Sequence, residues 1–434
     1  MELKTEMEFL LGTNKIDITP DPPVPLAGYS SRQGVFEGVH HPIYAKVLLF
    51  RQWDEEKGKA RNRLLVAADL IWWGTELTEK LRRELALRWG MGAEDIVLSA
   101  SHSHSGPQTS LLMPSLGAAD ETYLQEVERK LLAGVEQAEA NLEPVVIQRG
   151  SGTCDIGINR RKLADGKIVG SPNEQGPADP EVTVIRFVNR TGEAKALIVH
   201  YTCHPTTTSD NFVSSEFCGI AMERLEQEAD NRCVALFLQG CCGDVRPSLH
   251  RDGKFYSGHD EDVRRLGARF YESAREVLVR PMQTLQPCSP GGAHIKLPLS
   301  FASVPSLEEL AEYSQSADAG VHEWAKLLLD HPELVRPAAE FDMVRMDLSE
   351  GLSLLAMNAE MVVEYGLFVK EMSGRGVLPV AYCNGMIGYV STARQLGEGG
   401  YEPVGSCKYF GLCSPFTEAA EPAIREKLAA LIRI

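Results

Sequence analysis

Short apolar runs rich in β-branched residues end repeatedly in polar turns along this chain. The run DIVLSAS (Asp95–Ser101) opens directly into His102. Residues 181–202 predict two strands joined by a hairpin at NRTGE, and the second strand leads to His204. Three more predicted strands precede polar residues: Cys233–Gln239 before Asp244, Gly351–Asn358 before Glu360, and residues 377–384 before Tyr389. Because sites in α/β folds form at the carboxyl ends of strands, these residues predict one shared site.

Helices are indicated where apolar residues recur at intervals of three or four. This spacing occurs in three stretches: Leu77, Leu81 and Leu85; Leu124, Val127, Leu131 and Val135; and Val263, Leu266, Phe270 and Val277. Glu360 is predicted to begin a further helix that contains Val363 and Leu367. The mixture of hairpins and strand–helix units predicts an α/β fold, with a mixed β-sheet core covered by helices and the site at strand carboxyl ends.

The chain is predicted to form one domain over residues 1–434, because no linker or composition change marks a boundary. Residues 281–306 are rich in proline, glycine and serine, and we expect them to cross the surface. Residues 307–337 predict helices and form a candidate cap.

The net charge of the chain indicates which kinds of binding partner to expect. The net charge is −16, which argues against nucleic acid and anionic membrane surfaces and favours a small-molecule substrate. The first 23 residues lack the basic start and continuous apolar run of a signal peptide, and no stretch reaches the roughly 18 apolar residues that span a membrane. We therefore expect a soluble, cytoplasmic protein whose ten cysteines are reduced and mostly buried. A homo-oligomer is possible.

The motif SASHSHSGP (Ser99–Pro107) carries the first candidate chemistry. Residues two apart in an extended segment point to the same side, so His102 and His104 can face one ion, and neutral imidazole is a common zinc ligand. A lone His-x-His pair is equally typical of a hydrogen-bonded polar loop. His200 lies inside an apolar strand and is expected to be a hydrogen-bonded core residue.

Eight segments in a fixed order give the pattern a more specific meaning. They are KIDITPDPPVPLAGYSSR, SASHSHSGP, NRR, ADPEVTVIRF, CHPTT, LQGCCGDVRP, LLAMNAEM and YVSTARQ, and the similarity around them spans about Gly12 to Phe416. In content and order they resemble the neutral/alkaline non-lysosomal ceramidase family. The chain resembles a short, bacterial-type homologue without the C-terminal β-sandwich domain of full ceramidases.

The resemblance implies a zinc site and a set of catalytic residues around it. The implied zinc ligands are His102, His204, Glu360 and Tyr389. Two imidazoles and a carboxylate are a common ligand set of hydrolytic zinc sites. The implied catalytic residues are His104, Arg160, Asp244 and Tyr401. Without the resemblance, Arg161 is as good a candidate as Arg160 for the catalytic arginine. Asp244 is then typical of a tight turn, and Glu360 is typical of an acid in the first turn of a helix.

The implied reaction is metal-assisted hydrolysis of an amide or an ester. Zinc lowers the pKa of bound water from about 15.7 toward about 7 and polarises the carbonyl. In this scheme His104 transfers a proton, while Arg160 or Tyr401 stabilises the oxyanion.

One departure bears on the substrate. Arg246 stands in GDVRP where the family has a serine with a catalytic role. This exchange favours a small polar substrate over ceramide, with Arg246 binding a substrate carboxylate or phosphate or forming an internal salt bridge. A true ceramidase and a degenerate protein that only binds zinc or ligand are the alternatives. A barrel-type metal-dependent amidohydrolase also uses an early His-x-His pair, but here hairpins interrupt the strand–helix alternation that it requires.

Overall fold

The fold is known from a computed structural model that describes residues 9–55 and 57–434. The sequence predicts that the first 23 residues are not a signal peptide. Residues 1–8 of that stretch lie outside the described residues.

The strands of the described residues fall into several sheets. In chain order they are β1 (Leu10–Asp17), β2 (Gly38–Val39), β3 (Tyr44–Asp54), β4 (Lys59–Ala68), β5 (Ile96–Ala100), β6 (Glu143–Thr153), β7 (Gly157–Ala164), β8 (Lys167–Asn173), β9 (Glu181–Asn189), β10 (Ala194–Tyr201), β11 (Phe212–Val213), β12 (Val234–Gln239), β13 (Val245–Pro247), β14 (His250–Arg251), β15 (Lys254–Phe255), β16 (Gln283–Thr284), β17 (Gly292–Ser300), β18 (Ala338–Ser349), β19 (Leu352–Met357), β20 (Glu360–Met361), β21 (Val377–Val380) and β22 (Tyr389–Val390).

Helices lie between these strands. The α-helices of the described residues are α1 (Thr75–Trp89), α2 (Glu121–Ala140), α3 (Glu216–Glu228), α4 (Asp260–Leu278), α5 (Leu307–Tyr313), α6 (Ala319–Asp330), α7 (Val363–Met372), α8 (Ala393–Glu398) and α9 (Ala420–Arg433).

The largest sheet is mixed and positions the candidate site. Its strand order is β12-β10-β9-β6-β1-β3-β4-β5, and only the terminal pairs β10–β12 and β4–β5 are parallel. Gln239, at the end of β12, donates its side-chain N–H groups to the carbonyls of Ser101 at 3.0 Å and Cys203 at 2.9 Å. The two ends of the sheet therefore meet, and the turns after β5, β10 and β12 lie together.

A second sheet, β17-β18-β19-β21, packs against the first, because side chains of both sheets share one buried cluster. Alternation within each strand produces this arrangement, because successive side chains point to opposite faces. In β10, Ile198 enters the layer between the sheets, whereas Leu197 and Val199 face α3 and α4. Helices α1 and α2 cover the rest of that outer face, and α7 and α9 cover the second sheet. The predicted mixed sheet covered by helices is confirmed.

Most of the predicted elements are present, with two corrections. The strands before His102, His204 and Asp244 occur, as do the three helices predicted from apolar spacing. Residues 281–306 do not merely cross the surface, because they contain β17, which pairs with β18 along nine residues. Glu360 does not begin a helix. It lies in β20, and α7 begins at Val363. Backbone pairing with β22 explains this difference.

The remaining sequence expectations concern the cap, membrane-spanning helices and the cysteines. Helices α5 and α6 lie within residues 307–337, but the cap and the single-domain assignment stay predictions. None of the helices that the structure describes is long and apolar enough to cross a membrane. Nine of the ten cysteines are buried and all ten are free thiols.

Candidate metal centre

The turn after β5 directs two imidazoles toward each other. His102 is fully buried and adopts a φ of +67°, which is unusual for a residue with a Cβ. Its Nδ1 lies 2.9 Å from the carbonyl of Ile71, so this nitrogen donates and Nε2 carries the lone pair. The Nε2 atoms of His102 and His104 are 3.2 Å apart. Small neighbouring residues allow this approach, and Gly28 lies against the His104 ring.

His204 and Glu360 complete the cluster from other strands. His204 Nδ1 donates to the carbonyl of Cys242 at 2.6 Å, which leaves Nε2 facing the site. The Oε2 atom of Glu360 lies 3.3 Å from His102 Nε2 and 3.4 Å from His204 Nε2. The turn after β10 and the short strand β20 thus bring both side chains to the pair after β5.

Tyr389 is held next to Glu360 by backbone pairing. The parallel pair β20–β22 places Glu360 opposite Tyr389. The Tyr389 hydroxyl accepts a hydrogen bond of 2.9 Å from Nη2 of Arg160. Arg160 also donates Nε to Glu402 at 2.9 Å and Nη2 to the carbonyl of Gly243 at 2.8 Å. These bonds fix the guanidinium at the edge of the histidine cluster.

The adjacent Arg161 has a different environment from Arg160. It donates to Glu402 at 2.6 Å and to Glu398 at 3.3 Å. Arg160 is therefore the one of the pair that contacts Tyr389. Tyr401 begins a π-helical turn, and its ring centroid lies 5.6 Å from that of Tyr389. Tyr401 is 45% exposed, so it lies at the protein surface beside Tyr389.

Asp244 lies behind the cluster, outside the group of facing imidazoles. Its Oδ1 accepts from the backbone N–H of Val363 at 2.9 Å. Its Oδ2 accepts from the side chains of Asn159 at 3.2 Å and Gln395 at 3.1 Å. Burial raises the pKa of Asp244 to about 6, and the donated hydrogen bond from Val363 opposes this shift. These hydrogen bonds give Asp244 a positioning role, because its partners lie in other segments and none of them belongs to the histidine cluster.

Burial controls ionisation in the cluster. It lowers the pKa of His104 well below the usual range, and the imidazoles of His102 and His204 lower it further. It also lowers the pKa of His204 to about 4, so both rings are neutral at pH 7. Burial opposes ionisation of Glu360, but the pKa of that carboxyl lies well below its usual range because His102 and His204, when protonated, attract the carboxylate and donate hydrogen bonds to it. Burial and the Glu360 charge raise the pKa of Tyr389 well above 10.

Sequence reasoning missed two tyrosines at the site. The Tyr382 ring stacks on His102 with centroids 4.1 Å apart, and its hydroxyl lies 3.4 Å from Glu360 Oε2. Tyr29 lies with its ring 5.1 Å from that of His104. Both occur in segments that were already singled out, after β21 and in the N-terminal loop, but nothing in their local pattern indicated a site. His200, by contrast, donates to the carbonyl of Pro379 at 2.7 Å, which confirms its expected core role.

The donor set fits a metal ion. Ligand atoms of His102, His104 and His204 all lie within 4.8 Å of one another. Among the described residues, the buried Nε2 atom of His204 has no hydrogen-bond partner, and its nearest charged neighbour is the Glu360 carboxylate at 3.4 Å. Metal-binding histidines commonly donate their second ring nitrogen to a carbonyl, as His102 and His204 do here. Neutral imidazoles beside an ionised carboxylate are suitable ligands for a divalent cation.

Comparisons with known proteins identify the family of this chain. The family described as "Neutral/alkaline non-lysosomal ceramidase, N-terminal" matches residues 9–262, more than half of the chain. The chain belongs to the neutral/alkaline non-lysosomal ceramidase family. The resemblance predicted from the ordered motifs is therefore confirmed.

Individual proteins similar to this ceramidase-family chain are also ceramidases. The neutral ceramidase of Pseudomonas aeruginosa is 26% identical over 288 residues, which are 63% of this chain and 42% of that protein. The match thus spans less than half the length of that relative. The crystal structure of neutral ceramidase from the same organism has a TM-score of 0.75 at 20% identity, covering 98% of this chain and 74% of the other. A structure of ceramidase complexed with C2 gives 0.75 at 19% identity, with 98% and 75% covered. These two likenesses establish the fold.

Proposed function

We propose that this chain is a zinc-dependent hydrolase that cleaves an amide or ester bond of a small polar substrate. The proposal rests on one observation. Three imidazoles, those of His102, His104 and His204, lie together, and the Nε2 atoms of His102 and His204 face the ionised carboxylate of Glu360. Family membership supports a hydrolase. The ligands we assign are His102, His204, Glu360 and Tyr389. Zinc held by these residues would supply Lewis acidity toward a carbonyl oxygen and would lower the pKa of bound water.

The chain's own residues provide the remaining chemistry. His104 is neutral at pH 7 and lies 3.2 Å from His102, so its ring can accept a proton beside the reacting carbonyl. Arg160 fixes the Tyr389 hydroxyl and places a positive charge where negative charge develops on the substrate. The phenol of Tyr401, which lies beside Tyr389, can donate a hydrogen bond to the same oxygen. Asp244 holds the segments that carry Arg160 and α7.

Metal analysis tests the zinc assignment. Protein purified without added metal is expected to contain about one equivalent of zinc by mass spectrometry, and His204→Asn is expected to lose most of it because one imidazole ligand is removed. His200→Asn is the matched control, since His200 is also buried but lies outside the cluster. Circular dichroism confirms that each variant is folded. A wild-type protein without zinc, or a folded His204→Asn variant with full zinc, contradicts the assignment.

Turnover tests the reaction class. The zinc-loaded protein is expected to hydrolyse members of a panel of 4-nitroanilides, 4-nitrophenyl esters and lactones with short polar acyl groups. A short-chain ceramide belongs in the panel because the solved relatives are ceramidases. Stoichiometric zinc without turnover of any member contradicts the hydrolase and favours a protein that only binds a ligand. Preferential cleavage of the ceramide contradicts the small polar substrate.

A further inference from the structure

Arg246 is a partly buried cation without a carboxylate partner among the described residues. The residue belongs to β13, and its Nε is buried with no hydrogen-bond partner in the part of the chain that the structure describes. Nη2 makes one long hydrogen bond, 3.5 Å to the carbonyl of Thr206. Among the residues that the structure describes, no carboxylate oxygen lies within 4.0 Å of its guanidinium nitrogens. The internal salt bridge that the sequence left open is therefore absent from the described part of the chain.

The two arginines of the paired strand β7 differ from Arg246, because each of them has a carboxylate partner. Arg160 and Arg161, on the paired strand β7, both contact the Glu402 carboxylate. Burial lowers the pKa of Arg246, and the charge of Arg160 lowers it further. Removing a cation from water without an anion is unfavourable, so a bound anion would relieve this cost.

Strand geometry places Arg246 on the side of the candidate metal centre. β13 pairs antiparallel with β7, and Arg246 stands opposite Ile158. Since alternate residues of a strand share a face, Arg160 and Ile158 point to the same side as Arg246. Arg160 reaches the hydroxyl of Tyr389 on that side. The strand also adjoins the cluster directly, because the backbone N–H of His204 donates to the carbonyl of Val245 at 3.0 Å.

One face of the Arg246 guanidinium packs against an aromatic ring. The ring of Phe255, from the β14–β15 hairpin, packs against it with 4.5 Å between Cζ and the ring centroid. Such stacking holds the guanidinium plane, and the N–H groups at its edge match the two oxygens of a carboxylate or phosphate.

We propose that Arg246 binds an anionic group of the substrate, a carboxylate or a phosphate, so that this site hydrolyses anionic amides or esters. The proposal rests on the proposed hydrolase function and names its substrate class. The bound anion fills the position that no carboxylate of the described chain occupies.

A matched substrate pair tests this preference. The substrates are the mono-4-nitroanilide of glutaric acid, whose acyl chain ends in a carboxylate, and the same anilide ending in a carboxamide. The wild-type zinc-loaded enzyme is expected to have a kcat/KM about tenfold or more higher for the carboxylate, in line with a charged hydrogen bond. Arg246→Gln is expected to remove this preference. Arg251→Gln, an exposed arginine on the neighbouring hairpin, is expected to retain it.

A binding measurement separates this proposal from the hydrolase itself. Isothermal titration calorimetry with glutarate and with inorganic phosphate is expected to give a dissociation constant about tenfold weaker in Arg246→Gln than in wild type at equal zinc content. The tighter of the two anions identifies the group. Equal affinities in both proteins, or a loss of turnover equal for both anilides, would overturn the role of Arg246. If neither anilide is cleaved but the anion still distinguishes the variants, the hydrolase fails and the anion site stands.

Discussion

At the scale of single residues, the candidate centre depends on backbone conformations that most residues avoid. His102 has a φ of +67° and Tyr382 a φ of +58°, and their rings stack on each other. Such conformations persist only where the surroundings enforce them, and they concentrate at functional sites. Gly28 is a further case, because its φ is +102° and a Cβ there would lie 2.4 Å from Nδ1 of His104.

Gly28→Ala is expected to displace the His104 ring and to lower kcat for the best panel substrate by about tenfold or more, because small misplacements of a proton-transferring group are costly. Its free energy of unfolding is also expected to fall by more than the roughly 1 to 2 kcal/mol that a positive φ costs a residue with a Cβ. Gly34→Ala is the matched control, since Gly34 has a φ of +71° with nothing within 4 Å of the added Cβ. Equal activities and equal urea midpoints for the two variants would contradict the clash.

At the scale of elements, short segments and not the long strands hold the site together. The two-residue pair β20–β22 aligns Glu360 with Tyr389, and Asp244 links β7, the start of α7 and α8 by accepting three hydrogen bonds. The amides that donate to Asp244 cannot rotate freely. The Asn159 oxygen accepts from the backbone of Arg161, and the Gln395 oxygen accepts from the backbone of Thr392.

Asp244→Asn is therefore expected to destabilise the protein by about 2 kcal/mol, because its amide nitrogen would face N–H donors instead of accepting from them. The zinc content is expected to stay near wild type, since Asp244 does not contact the cluster. Urea unfolding and metal analysis measure the two quantities. Asp165→Asn, in the exposed turn between β7 and β8, is the control. An unchanged urea midpoint for Asp244→Asn would rule out the linking role.

At the scale of the whole molecule, buried carboxylates make stability depend on pH. Burial raises the pKa of Asp69, just after β4, from 3.8 to about 6, and the hydrogen bond from the backbone N–H of Tyr44 offsets only part of this shift. A raised pKa in the folded state means that the favourable contribution is full below about pH 4. It is lost as the pH rises through 6, where the folded protein must carry a buried charge.

Asp69→Asn removes this ionisation while its side-chain oxygen still accepts from Tyr44. The stability of the variant relative to wild type is expected to rise by on the order of 2 kcal/mol between pH 4 and pH 7. Urea midpoints measured across this range test it, with the exposed Asp252→Asn as control. A difference between variant and wild type that does not change with pH would show that Asp69 ionises normally in the folded protein.

The sequence alone determined the elements and the family of this protein. Strand alternation and helical spacing are local properties, so the strands before His102 and His204 and the helices from Leu77 and Val263 were predictable. The ordered motifs were sufficient to identify the ceramidase family. Local pattern failed at Glu360 and in residues 281–306, where pairing with β22 and β18 decided the conformation.

Only the tertiary structure decided which candidates meet and which lack a partner. Closing the large sheet through Gln239 brings the turns after β5 and β10 together, and no local signal encodes that closure. No local signal encodes the hydrogen bond from Arg160 to Tyr389 either. Nor does any local signal show that Arg246 has no carboxylate partner among the described residues. Contacts between residues far apart in sequence depend on the packing of the whole chain, whereas periodicity reports only on neighbours along it.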